Sequence, residues 1–148
     1  MTRPLVRRVT VETTQHATED PGKVLEALLN VLPEELRNSV RPIVQTVKGH
    51  YGNPITRLRV ELKGEEAEKV ARHLFSALGE GDHRILQLTL DQRLDRTGNL
   101  YLRLDKQKAL RGRLVLYDGD DVIRVVIGLR GRKRREVLEH LGLRADGG

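Results

Sequence analysis

Apolar positions alternate from Leu5 to Thr14, with Leu5, Val9 and Val11 on one face and Arg8, Thr10 and Glu12 on the other, which predicts a strand. Thr18-Glu-Asp-Pro-Gly22 then reads as a helix entry, with Thr18 or Asp20 as cap and Pro21 in the first turn. The helix is expected from Lys23 to about Leu32, burying Val24, Leu25, Leu28 and Leu32. Pro33 stops it or opens a short second helix over 34–38. Strands are expected over 43–48 and 55–62; in the second, Leu58, Val60 and Leu62 face the core while Arg57, Arg59 and Glu61 face away. Gly49-His-Tyr-Gly-Asn-Pro54 between them has the composition of a turn, so the pair should form an antiparallel hairpin.

A second long helix is predicted over 65–78 by the stripe Ala67, Val70, Ala71, Leu74 and Leu78. Residues 83–94 fit either period in part, and the Asp82 cap tips the reading to helix. Thr97-Gly-Asn turns the chain into a strand over 100–104. Two more strands are expected, 113–117 and 122–129, joined by the Asp118-Gly-Asp-Asp turn. A short amphipathic helix over 132–141 closes the chain, with Val137, Leu138 and Leu141 inward. This order of hairpins and helices predicts an α+β two-layer sandwich, a largely antiparallel sheet with helices packed on one face. Residues 1–143 read as one domain and 144–148 as a frayed tail.

Charge adds a location. Between Arg103 and Arg135 the chain carries eleven Lys and Arg against four Asp, so the whole net excess of +6 sits there and the remainder is near neutral. Charge this localised favours a polyanion partner over an evenly solvated surface. Aromatic residues are few (Tyr51, Phe75, Tyr101 and Tyr117), which argues against a partner read mainly by base stacking. No run of apolar residues is long enough for a membrane span, the N-terminus lacks the apolar core of a signal peptide, and there is no cysteine. The expectation is a cytoplasmic protein with no cofactor and no membrane partner. The high charged fraction and near absence of Met resemble thermophile usage.

Three polar constellations and a basic cluster carry candidate chemistry. His16-Ala-Thr-Glu-Asp20 stands at the first strand–helix junction, where capping and dipole complementation account for Thr18, Glu19 and Asp20. In His50-Tyr-Gly-Asn-Pro54, Gly52 and Asn53 suit a turn, whereas His50 and Tyr51 are not demanded by it; these, with Asn53, could meet RNA from an exposed tip. In the third, strand alternation fails after Leu104, and the polar run beyond it displays Arg103, Lys106, Gln107, Lys108, Arg111 and Arg113 at short range. Such a segment suits backbone phosphates, with Gln107 able to bond a 2′-hydroxyl. The cluster is Arg130-Gly-Arg132-Lys133-Arg134-Arg135, at a strand-to-helix junction, where ordered like charges call for counter-charge.

These motifs, His16-Ala-Thr-Glu-Asp20, Gly49-His-Tyr-Gly-Asn-Pro54 and Gly98-Asn-Leu-Tyr-Leu-Arg followed by Leu104-Asp-Lys-Gln-Lys-Ala109, resemble in order and spacing an archaeal family of RNA-binding proteins described as exosome-subunit-like. The resemblance runs over residues 5–142. It implies an α+β fold likened to double-stranded-RNA-binding domains and to ribosomal protein L5, and RNA binding without catalysis. It also implies association with the RNA exosome; a ribosome-associated factor docking on ribosomal RNA would need the same charges. With few aromatics and many point charges, double-stranded or structured RNA read by backbone and shape is the expected partner. The basic 130–135 segment is where the sequence departs from the motifs, and it would add affinity.

The rival reading is a metal-dependent RNA hydrolase built on His16, Glu19, Asp20 and His50. Their spacing matches no established ligand pattern, and neither HExxH nor a phosphate-binding P-loop occurs. The sequence therefore favours a non-catalytic protein.

Overall fold

The computed structural model describes residues 5–49, 51–130, 134–140 and 142. Along the chain run β1 (Val6–Gln15), α1 (Pro21–Leu29), α2 (Glu34–Arg37), β2 (Ile43–Lys48), β3 (Pro54–Lys63), α3 (Gly64–Ala77), α4 (Glu80–Arg93), β4 (Asn99–Asp105), α5 (Lys106–Leu110), β5 (Val122–Leu129) and α6 (Arg134–His140). The strands form one sheet in the order β2-β3-β1-β5-β4, every pairing antiparallel. The α+β two-layer sandwich expected from the sequence is the architecture observed.

β1 takes the centre of the sheet and pairs on both edges, with β3 and with β5. Val9 and Val11 point into the core as their alternation requires. The register against β5 slips between Val6 and Arg8, and this bulge sends Val6 inward while Leu5 is only partly buried. A strict two-residue period cannot foresee that slip, so Val6 replaces Leu5 in the core.

The core lies between the inward sheet residues and the helices. Leu58, Val60 and Leu62 of β3, Leu100, Leu102 and Leu104 of β4, and Ile123, Val125 and Ile127 of β5 meet Val24 and Leu28 of α1, the predicted stripe of α3 and Leu86 and Leu90 of α4. The ambiguous 83–94 segment is helical: Leu86 and Leu90, one turn apart, are buried, while Ile85 and Leu88 are exposed. Helix α1 stops at Leu29, earlier than expected. Asn30 follows it and donates from Nδ2 to the Ala109 carbonyl at 2.9 Å, which fastens α1 to α5, and Leu32 is buried from the turn beyond.

One element between β4 and β5 is not expected from the sequence, and one expected strand is absent. The polar run after Leu104 forms the short helix α5, started by the Asp105 carboxylate, which accepts from the Lys108 N–H at 3.0 Å. The segment 113–117 is not a strand: it touches the sheet at the single bridge Leu104↔Leu116. Leu114 and Leu116 pack on the core from an otherwise irregular segment, which apolar content alone cannot distinguish from a strand.

β2 hangs past the helical layer. All but one of its residues are exposed, including Ile43 and Val44, so its length comes from the hairpin ladder with β3 rather than from burial. Among the described residues no helix is long and apolar enough to cross a membrane.

Candidate nucleic-acid interface

The first and third motifs meet at one side chain. Lys106 is buried, and its Nζ donates to the Thr14 carbonyl at 2.7 Å while pairing with Glu19 at 2.8 Å and Asp121 at 3.3 Å. Its ammonium is thus consumed internally, and the sequence expectation that it meets a phosphate is corrected. An ion this buried stays charged only with partners, and here the end of β1, the approach to α1 and the turn before β5 all supply one. Burial alone would raise the Asp121 carboxyl, but the Gln107 amide and the Lys106 ammonium outweigh it, and with His16 they hold it below its ordinary value. Gln107 donates from Nε2 to Asp121 at 2.8 Å, so its amide is engaged though exposed. Thr18, Glu19, Asp20, Lys23, Lys106 and Gln107 line a polar cleft of about 360 Å³ between α1 and α5.

Six other cations of the basic stretch stay at the surface among the described residues. Lys108, Arg111, Arg113, Arg124, Arg130 and Arg135 are exposed. Lys108, Arg111, Arg113 and Arg124 have no carboxylate within salt-bridge distance among the described residues, while Arg135 lies 3.7 Å from Glu139 one turn along α6. Arg134 begins α6; Arg132 and Lys133 lie outside the described residues. At the β2–β3 turn, Gly52 has φ +83°, which accounts for glycine there, and Tyr51 is 89% exposed beside exposed Asn53. His50 lies outside the described residues.

Opposite the helices, the sheet has a face that no element covers among the described residues. The register lines up Arg103 with Arg124, Arg124 with Glu12, and Glu12 with Arg59. Tyr101, Val126, Thr10 and Glu61 form the adjacent row, and Arg8 stands opposite Lys63 in the next. Arg103 donates from Nη2 to the Gly119 carbonyl at 2.6 Å, and its buried Nε has no hydrogen-bond partner. Tyr117 extends this face beyond β4, since its N–H bonds the Arg103 carbonyl. A Cβ on Gly119 would overlap the Tyr117 ring, so glycine there lets the ring fold over the turn.

At the other end of β4, Asp95 organises the turn from α4. Its carboxylate accepts from the N–H groups of Thr97 and Asn99 and from the Tyr101 hydroxyl at 3.0 Å. The backbone bond from Asn99 is the largest influence; with the Asn99, Thr97 and Tyr101 side chains it holds the Asp95 carboxyl far below the ordinary carboxylate range. The hydrogen bond that Tyr101 donates to the Asp95 carboxylate raises its hydroxyl above the usual value.

Sequence reading alone missed this open face as a unit. Outward alternation identifies Arg57 and Arg59, but only the strand order brings Arg59 into line with Arg103 and Arg124 and sets Arg57 in the row beside it. The proposed hydrolytic set fares differently. Asp20 accepts from the Gly22 N–H as the α1 cap, and Glu19 is held by Lys106 and the His16 N–H. Among the described residues no group of three or more His, Asp and Glu is placed to hold a metal.

The chain belongs to the family described as RNA binding, whose model matches residues 8–129. The RNA-binding protein PAB1135 of Pyrococcus abyssi is 38% identical over 124 residues, covering 82% of this chain and 80% of that one. The uncharacterized protein MJ0213 of Methanocaldococcus jannaschii is also 38% identical, over 78% of each chain. Among solved structures, protein AF2318 from Archaeglobus fulgidus is 38% identical with a TM-score of 0.76, over 90% of this chain and 95% of that one. Protein SSO0741 from Sulfolobus solfataricus superposes at 0.77 with 26% identity, over 91% and 97%.

Proposed function

We propose that this protein binds RNA without catalysis, in the cytoplasm, through a basic surface that engages the RNA backbone. The observation that carries the reading is that Lys108, Arg111, Arg113 and Arg124 are exposed without a carboxylate partner among the described residues. Unpaired guanidinium groups held on an ordered surface bind phosphates by charge and by fork geometry. The family's description and the name of the Pyrococcus abyssi relative support RNA as the polyanion. Within this reading, Arg130, Arg132, Lys133, Arg134 and Arg135 add long-range attraction, and Tyr51 and Asn53 provide a secondary contact at the hairpin tip.

The test is a titration against single-stranded RNA, double-stranded RNA and DNA at two salt concentrations. Contact with four to six phosphates predicts a log–log salt slope of roughly −3 to −5. Absence of RNA binding at low salt would overturn the proposal. Binding to the RNA exosome or to a ribosomal subunit would draw on the same charges; native pull-down followed by sizing separates the two.

A further inference from the structure

We propose that the open face of the sheet is a platform for a single strand of RNA, its bases stacked on Tyr101 and Tyr117 and its phosphates met by Arg124, Arg59 and Arg57. This rests on the RNA-binding reading above and names the form of RNA and the surface that takes it. Three of the four aromatic residues, Tyr51, Tyr101 and Tyr117, are surface-exposed, and two of them belong to this one face. A protein with few aromatic rings that spends them on a polar sheet surface is using them for something other than its core. Scarcity of aromatics points to shape readout; their placement points to stacking.

The geometry suits a strand crossing the sheet. Tyr117 is bonded alongside Arg103, and Tyr101 stands two residues from Arg103 on β4, so the two tyrosines occupy diagonal positions, an offset that in a sheet spans about 7–8 Å between residues. The Asp95 carboxylate holds the Tyr101 hydroxyl, and the turn at Gly119 leaves room for the Tyr117 ring, so both rings are positioned before a ligand arrives. Pre-set rings lose little freedom on binding.

Charge supplies the second argument. Arg8, Arg57, Arg59, Lys63, Arg103 and Arg124 share the face with Glu12, Glu61 and Asp105, and Asp105 is turned to the Lys108 N–H. Arg103 and Arg124 stand directly opposite each other on neighbouring strands, an arrangement that is unfavourable without an intervening anion. Glu61 lies 3.6 Å from Arg8 and 3.9 Å from Arg59, while Arg124, beside Glu12 at the middle of the row, has no carboxylate within salt-bridge distance among the described residues. A duplex presents its phosphates but hides its bases, and would leave both tyrosines idle. A single strand uses both halves of the surface.

The experiment compares a single-stranded RNA of about twelve nucleotides with a duplex of about 16 base pairs, read by anisotropy and by quenching of intrinsic tyrosine emission. The proposal expects tighter binding of the single strand, with tyrosine quenching. Tyr101→Leu with Tyr117→Leu should lower single-strand affinity on the order of tenfold per ring, whereas the corresponding Phe pair should stay near the parent. Arg124→Glu provides an independent arm should the leucine pair fold poorly, with a loss of at least the same order. If leucine substitution leaves affinity unchanged while neutralising Lys108, Arg111 and Arg113 abolishes it, the platform is wrong and the RNA-binding reading survives. If neither RNA binds at low salt, both fall. A dimer in sedimentation that RNA does not dissociate, and that Arg124→Glu splits, would assign the face to a second copy instead.

Discussion

Lys106 Nζ lies 2.8 Å from Glu19 Oε2, joining the start of α5 to the loop before α1 across 87 residues of chain. Removing one partner of a buried ion pair costs about 3–5 kcal/mol, because the other charge is left stranded. Glu19→Ala should fall near the lower end, since Asp121 and the Thr14 carbonyl remain. Lys106→Met, which removes the buried charge and leaves two partly hydrated carboxylates, should cost about 1–2 kcal/mol. Urea unfolding measures both. RNA affinity of the folded variants should be unchanged; a fall in affinity at full stability would restore Lys106 to phosphate contact.

The Asp95 turn makes a prediction about acid. Its folded carboxyl lies below the ordinary value of 3.8, so its stabilisation is complete above that pH and is lost as pH falls through the lower folded value. The unfolded chain takes up the proton first. Urea midpoints followed from about pH 7 to about pH 2 should decline more steeply below pH 4 for the parent than for Asp95→Asn. Parallel curves would remove Asp95 as a source of acid sensitivity.

Thr13 Oγ1 donates to the Val122 carbonyl at 2.9 Å in the core, tying β1 to the start of β5. Thr13→Val keeps the shape but strands that carbonyl. The expected loss is about 1–2 kcal/mol by thermal or urea unfolding. A neutral result would mean the carbonyl finds another donor.

Neutralising Lys108, Arg111 and Arg113 together to Gln should reduce the magnitude of the log–log salt slope by about two to three. Fluorescence titrations at several salt concentrations measure it. An unchanged slope would take this segment out of the interface.

Much of the fold can be read from local pattern. Leu58, Val60 and Leu62 declare β3, and the stripe from Ala67 to Leu78 declares α3, because each face meets a single environment along its whole length. Where two influences compete, pattern misleads. The bulge in β1 exchanges Leu5 for Val6, and Leu114 and Leu116 pack on the core without forming a strand. Helix α5 had a local sign, an Asp three residues before the Lys108 N–H it caps, lost among its charged neighbours. The candidate site was less legible. Lys106 resembles its exposed neighbour Lys108 in every local respect, and only contacts with Glu19 and Asp121 distinguish them. The row from Tyr117 to Arg59 is assembled from five separate parts of the chain and exists only once the strand order is known.

The central position of β1 also sets an order of events. The first strand of the chain must pair with the last, so Val11 waits for Val125 while everything between them is made. During synthesis β1, β3 and α3 can assemble early through their nearer contacts, but one edge of β1 stays open until residue 129 has emerged. Closing so long a loop slows folding and leaves a partly built sheet exposed to pairing with other chains. The Arg8, Glu12 and Thr14 side chains alternate along this strand, and polar and charged residues of that kind are what disfavours pairing of an open strand with other chains.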